Sequence, residues 1–138
     1  MKPKQEIQWL ELPLIGSMDK GFLTAAEGWK NIPFLIRRVV WLYGLEPGMT
    51  RGNHANRRCD QVFACLAGAV TITADFGYGP EKDYRLTRPS QALYMAPLVW
   101  RVLKDFAPNT VVLILSAEVY DENEYIRDYQ VFKKEVGL

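Results

Sequence analysis

Gly48-Met-Thr-Arg-Gly-Asn-His-Ala-Asn-Arg-Arg-Cys-Asp-Gln-Val-Phe-Ala-Cys-Leu-Ala-Gly68 holds the only histidine of the chain and sets three polar side chains at fixed intervals. By spacing it is Gly48-x5-His54-x-Asn56-x4-Gln61-x6-Gly68. If the segment is extended, His54 and Asn56 point to the same side, because side chains alternate along a strand. Asn56 has a second reading, closing a turn with Arg57 and Arg58. Gln61–Leu66 and Ala69–Asp75 are apolar runs flanking Ala67-Gly68. Glycine there supplies turn geometry, so the two runs are expected to form a hairpin.

Outward from this stretch the pattern stays β. Ile7–Leu12 reads as a strand closed by Pro13, Phe22–Ala26 as a second, and Phe34–Tyr43 as a long third ended by Gly44 and Pro47-Gly48. Gly77-Tyr-Gly-Pro80 is a loop tip, and Tyr84–Leu86, Ala92–Met95, Trp100–Leu103 and Val111–Ala117 continue the series. About nine to ten short, punctuated strands point to a barrel or sandwich. Only Asn123–Glu135 has helical spacing, with Tyr125, Tyr129 and Phe132 recurring at three and four residues. The expectation is one all-β domain over residues 1–138, a two-sheet jelly roll with a short C-terminal helix.

Composition narrows the function classes. A formal charge of +1 gives no reason to expect nucleic acid or an anionic membrane as partner. No apolar run approaches the roughly 18 residues of a membrane span, and Met1-Lys-Pro-Lys-Gln-Glu lacks the apolar stretch of a signal peptide. Cys59 and Cys65 are read as reduced thiols of a cytoplasmic protein. No phosphate-binding glycine loop, nucleophile elbow, CxxC pair or HExxH is present.

All imidazole chemistry falls on His54. Arg51, Arg57 and Arg58 surround it with positive charge, and planar guanidinium groups pair well with phosphate oxygens. In Phe34–Tyr43, Arg38, Val40 and Leu42 share one face, and Arg37, Val39, Trp41 and Tyr43 the other. One face looks into the barrel, so an arginine either enters its mouth or faces solvent at the strand end. Arg38 on one face, and Trp41 and Tyr43 on the other, are candidate substrate contacts. If the second half follows the same fold, Tyr94, Trp100 and Arg101 belong to the far side of the pocket; Tyr94 and Trp100 read equally as core aromatics, Trp100 more so.

The spacing of the opening stretch is similar to that of cupins, small β-barrels in which His-x-His and Glu hold a divalent metal. Here two of the three positions are neutral amides, which are poor donors to a transition metal. A closer resemblance is carried by Arg51–Gly68, Met95-Ala-Pro-Leu-Val-Trp-Arg101 and Tyr120-Asp-Glu-Asn-Glu-Tyr-Ile-Arg-Asp128, with Asn31-Ile-Pro-Phe34 and Arg37-Arg-Val. From about Gly16 to the C-terminus the chain resembles the nucleotide-sugar 3,4-ketoisomerases. That resemblance implies a metal-free, cofactor-free cupin, a homodimer whose N-terminal strand joins the partner's sheet. It also implies a dTDP-4-keto-6-deoxy-glucose substrate whose ketone moves from C4 to C3, towards the dTDP-3-amino sugars of surface polysaccharides (O-antigen) or antibiotics.

By motif, His54 matches the first histidine of the family's His-Ala-His, Arg51 an arginine near the phosphates, and Gln61 and Tyr94 pocket positions. Arg101 stands where members carry histidine or arginine, a difference associated with the configuration at C4; arginine resembles the group giving the gluco product. The expected site therefore has His54 as base, Asn56 and Arg101 orienting the sugar, and Arg38 with Arg51 on the diphosphate. Trp41, Tyr43, Arg58, Gln61 and Tyr94 are further substrate contacts. Asn56 departs from the pattern, since an amide does not carry protons near neutrality. Three readings stay open: His54 works alone with water or a tyrosine, the change inactivates the protein into a nucleotide-sugar binder, or a related keto sugar is isomerised or epimerised. A metal-dependent cupin oxygenase is a further alternative, which predicts bound iron or manganese.

Overall fold

The computed structural model describes residues 4–137. The strands in chain order are β1 (Ile7–Glu11), β2 (Ile15–Ser17), β3 (Gly21–Leu23), β4 (Arg38–Leu45), β5 (Arg51–Asn56), β6 (Gln61–Ala67), β7 (Val70–Asp75), β8 (Lys82–Leu86), β9 (Gln91–Met95), β10 (Trp100–Lys104), β11 (Thr110–Ser116) and β12 (Tyr125–Ile126). A 3-10 turn at Glu122–Glu124 precedes β12, and one helix, α1 (Tyr129–Glu135), follows it. Two five-stranded sheets, β1-β9-β6-β11-β4 and β12-β5-β10-β7-β8, face each other, with β2-β3 as a separate ribbon. All named neighbours pair antiparallel. This is the jelly roll expected from the short punctuated strands.

The unbroken apolar run of β6 has a physical reason: both its faces are covered. Phe63 and Cys65 point between the sheets and pack with Ile72, Leu93, Met95, Leu103 and Val112. Val62 and Ala64 point outward, beneath Leu12, Ile32 and Phe34 of the N-terminal segment. Phe63 is fully buried, and truncating it to alanine would cost roughly 3–5 kcal/mol. On the second sheet, Phe132 of α1 and Val136, which caps it, cover Ala55 and Ile126, and Trp100 packs against them as a core aromatic.

Several local expectations change. The β6–β7 hairpin does not form, because β6 already pairs on one edge with β9 and on the other with β11, while β7 pairs with β10 and β8. Residues 68–69 instead cross from one sheet to the other. Gly68 is required there, with φ +73° and a Cβ that would fall 2.3 Å from Thr110 Oγ1. The third strand starts at Arg38, not Phe34, and runs through Gly44 to Leu45. A register shift opposite Thr110–Val112 absorbs the glycine. Of Phe22–Ala26 only Phe22 and Leu23 are strand, the end of β3. The C-terminal helix begins at Tyr129, where the Asp128 carboxylate accepts from the Gln130 and Val131 amides and so sets its start. The N-terminal strand β1 lies on the chain's own β9, from Ile7 opposite Met95 to Glu11 opposite Gln91.

Candidate active site

A bulge in β5 builds the site. Arg101 lies opposite His54, but Val102 lies opposite Gly52, which leaves Asn53 as an extra residue. Gly52 and Asn53 take φ +87° and +57°. A Cβ at position 52 would sit 2.9 Å from the Arg101 carbonyl oxygen, so only glycine fits without displacement. Strict alternation would put Arg51 and His54 on opposite faces. With one residue inserted, both line the same cavity, about 400 Å³ between the sheets. Such a volume suits a small organic ligand.

Arg38, Arg51, Arg101 and Arg127 all line this cavity, and among the described residues no aspartate or glutamate does. The Arg51 side chain makes no hydrogen bond or ion pair among the described residues, so its charge is free for a ligand. Arg38 donates through Nη1 to the Tyr125 hydroxyl at 3.0 Å and lies over the Tyr120 ring. Arg127 stacks on Tyr125 and pairs with Glu122. The cavity mouth thus combines cations with aromatic faces, a surface suited to phosphate oxygens and a flat ring.

Deeper, the Nδ1–H of His54 donates to the Gly52 carbonyl at 3.1 Å, which leaves Nε2 as the acceptor nitrogen. Burial, then the nearby Arg101 cation, lower the His54 pKa to about 4, so the ring is neutral at pH 7. Arg101 is 1% exposed. Its Nη1 lies 2.9 Å from Asn56 Oδ1, 3.1 Å from Gln61 Oε1 and 3.3 Å from His54 Nε2. Nη2 donates to Met95 Sδ at 3.2 Å, and Nε has no partner among the described residues. Burial lowers the Arg101 pKa to about 10, which still keeps it charged at neutrality.

His54, Asn56 and Gln61 therefore converge on a guanidinium nitrogen. The cupin arrangement would put a metal ion among those three side chains; here the two amide oxygens are already engaged by a cation. One imidazole and two occupied amides do not fit a divalent ion. No group of three or more His, Cys, Asp or Glu side chains among the described residues is placed to hold one.

The other predicted contacts are distributed differently. Asn56 is buried and does not line the cavity; it stands behind Arg101. Trp41 and Tyr43, 59% and 71% exposed, lie on the outer face of β4, because Arg38, Val40 and Leu42 take the inner one. Arg58 points away to Glu124, at 3.3 Å. The buried Glu124 carboxylate also accepts from the Arg58 and Cys59 amides. Tyr94 packs on the outer side of the first sheet, and its hydroxyl donates to Asp60 Oδ1 at 2.5 Å. Burial and then Asp60 raise its pKa well above the usual tyrosine value. Tyr120, Tyr125 and Arg127 are wall residues not assigned roles from the sequence. They belong to the Tyr120–Asp128 motif, and the alternation of Tyr125 and Arg127 in an extended segment is the signal that could have marked them.

Residues 5–137 match the family model described as FdtA: WxcM-like, C-terminal. The TDP-4-oxo-6-deoxy-alpha-D-glucose-3,4-oxoisomerase of Aneurinibacillus thermoaerophilus is 38% identical over 118 residues, 86% of this chain and 84% of that protein. A histidine-to-asparagine variant of the 3,4-ketoisomerase QdtA from Thermoanaerobacterium thermosaccharolyticum, in complex with TDP-4-keto-6-deoxyglucose, superposes with a TM-score of 0.90. It is 36% identical, over 94% of this chain and 93% of that one. A 3,4-ketoisomerase from Helicobacter canadensis also gives 0.90, at 32% identity over 96% and 98% of the two chains. A family match over nearly the whole length, and relatives that agree in sequence and in fold, establish that the chain belongs to the FdtA (WxcM-like, C-terminal) family.

Proposed function

We propose that the protein is a sugar 3,4-ketoisomerase acting on dTDP-4-keto-6-deoxy-glucose. The observation that carries this reading is a neutral imidazole beside a buried cation, in a cavity lined by four arginines and, among the described residues, no carboxylate. Arg51, Arg38 and Arg127 bind the diphosphate, and the sugar reaches inward to His54 and Arg101. His54 Nε2 takes the proton from C3, and the electrons of the C3–H bond form a C3–C4 double bond as the C4 oxygen becomes negative. Arg101 stabilises that oxygen, in surroundings where a fixed charge acts strongly. The C3 hydroxyl proton passes to the C4 oxygen, C4 takes a proton from the His54 imidazolium after that N–H has exchanged with solvent, and the ketone is left at C3. Acid–base transfer of this kind requires no redox cofactor.

Proton NMR with the substrate in deuterated water tests the reading. Isomerisation with deuterium entering at C4, absent in His54→Asn, is the expected result. Substrate binding with no turnover by the wild-type protein would sink it in favour of a silent nucleotide-sugar binder, the reading favoured by the missing second histidine.

The working form is a homodimer in the cytoplasm, supplying 3-keto sugars for amination on the way to surface polysaccharide. Support for the dimer is the apolar outer face of β4, where Val39, Trp41 and Tyr43 are exposed, together with the exposed Leu14, Ile15 and Phe22 of the N-terminal segment. Burying these side chains would be favourable at roughly 25 cal/mol per Å². A monomer mass in sedimentation at micromolar concentration would refute it.

A further inference from the structure

We propose that Asn56 is a positioning residue for the proton transfer: with Gln61 it occupies both Nη1 hydrogens of Arg101 and so leaves the Nε2 lone pair of His54 free. The inference rests on His54 being the base. It starts from counting hydrogens. A guanidinium Nη carries two. Three acceptors surround Arg101 Nη1, Asn56 Oδ1 at 2.9 Å, Gln61 Oε1 at 3.1 Å and His54 Nε2 at 3.3 Å. The two amides are nearer and take the two hydrogens, so His54 stands beside the cation without being tied to it.

The chemistry of position 56 follows. Every acceptor on Arg101 is neutral: Asn56, Gln61 and the sulfur of Met95. A carboxylate at 56 would pair with the guanidinium and cancel the field that adds to burial in keeping His54 unprotonated. An imidazole could accept only through an unprotonated nitrogen, and on protonation would put a second cation against Arg101. An amide accepts the hydrogen bond and leaves the charge uncompensated. Asn56 is itself held from both sides, since its carbonyl accepts from the Leu98 amide at 2.8 Å and its backbone pairs with Tyr125 of β12. The departure from His-x-His thus matches the arginine at 101.

The charged and titratable groups around His54 are Arg51 from its own strand, Arg38 from β4, Arg101 from β10, and Tyr120, Tyr125 and Arg127 from the C-terminal segment. Because His54 is the only histidine, its ring nitrogens give unambiguous signals in nitrogen-15 NMR of the free protein. In Asn56→Ala the released Nη1 hydrogen turns to Nε2. The Nε2 signal moves to its hydrogen-bonded position, and kcat falls roughly tenfold or more while KM stays within about twofold. In the near-isosteric Asn56→Asp, the His54 titration midpoint rises by about one pH unit or more, and the acid limb of kcat/KM moves with it. Unchanged His54 signals and midpoint in both variants would overturn the proposal. If Asn56→Ala does not fold, the Asn56→Asp titration decides alone. These signals are read without substrate, so they test Asn56 separately from turnover, whose absence in the wild type would count against the reaction.

Discussion

Acidification should destabilise the protein through His54, by an amount that the site geometry sets. The ring sits between the sheets beside Arg101, and its pKa falls from 6.5 to about 4. In the unfolded chain the ring protonates as pH drops through 6.5, whereas the folded protein resists until about 4. Over that window the unfolded state holds more protons, so stability falls as pH falls and is fully present above about pH 7. The limiting loss is about 3 kcal/mol, of which about 2 kcal/mol accrues between pH 7 and pH 5. Urea unfolding followed by tryptophan fluorescence, at those two pH values, measures it. His54→Asn removes the titrating ring and leaves carboxylate contributions in place, so the difference between the two proteins isolates His54. Wild type should lose about 2 kcal/mol more than the variant. Equal losses would refute the reasoning, because the ring would then not be held neutral by its surroundings.

Two further outcomes follow from the site. Arg51→Met removes a free guanidinium from the cavity mouth and should raise KM roughly tenfold to a hundredfold, with kcat nearly unchanged, as steady-state kinetics would show. The remaining salt dependence of KM should also weaken. Gly52→Ala forces a Cβ to within 2.9 Å of the Arg101 carbonyl oxygen at φ +87°. A loss of about 1–3 kcal/mol in denaturant unfolding is expected. An unchanged midpoint would mean that the bulge tolerates a side chain.

Strand identity was largely legible, because alternation and punctuation are local properties. Ile7–Glu11, Gln61–Ala67, Val70–Asp75 and Thr110–Ser116 lie close to where the apolar runs put them. The failed hairpin at Ala67-Gly68 has a different origin. A glycine marks a change of direction, but the sheet that the chain enters next is decided by which edges are free, and both edges of β6 were taken. Trp41 and Tyr43 show the same limit. The period of two divides β4 into two faces, yet nothing within the strand says which one looks inward.

What the sequence determined by itself is the set of functional groups: a single histidine, the amides at 56 and 61, the arginines, and a chain patterned for a two-sheet barrel. Their arrangement belongs to the tertiary structure. The extra residue at Asn53 turns Arg51 to the same side as His54, and it is visible only against the strand that opposes it. Likewise Arg101, 45 residues from Asn56, becomes the cation on which the amides converge only when β10 pairs with β5. Composition and periodicity report what each residue can do next to its neighbours in sequence. A site made from non-adjacent strands depends on register, which the packing of the whole barrel fixes.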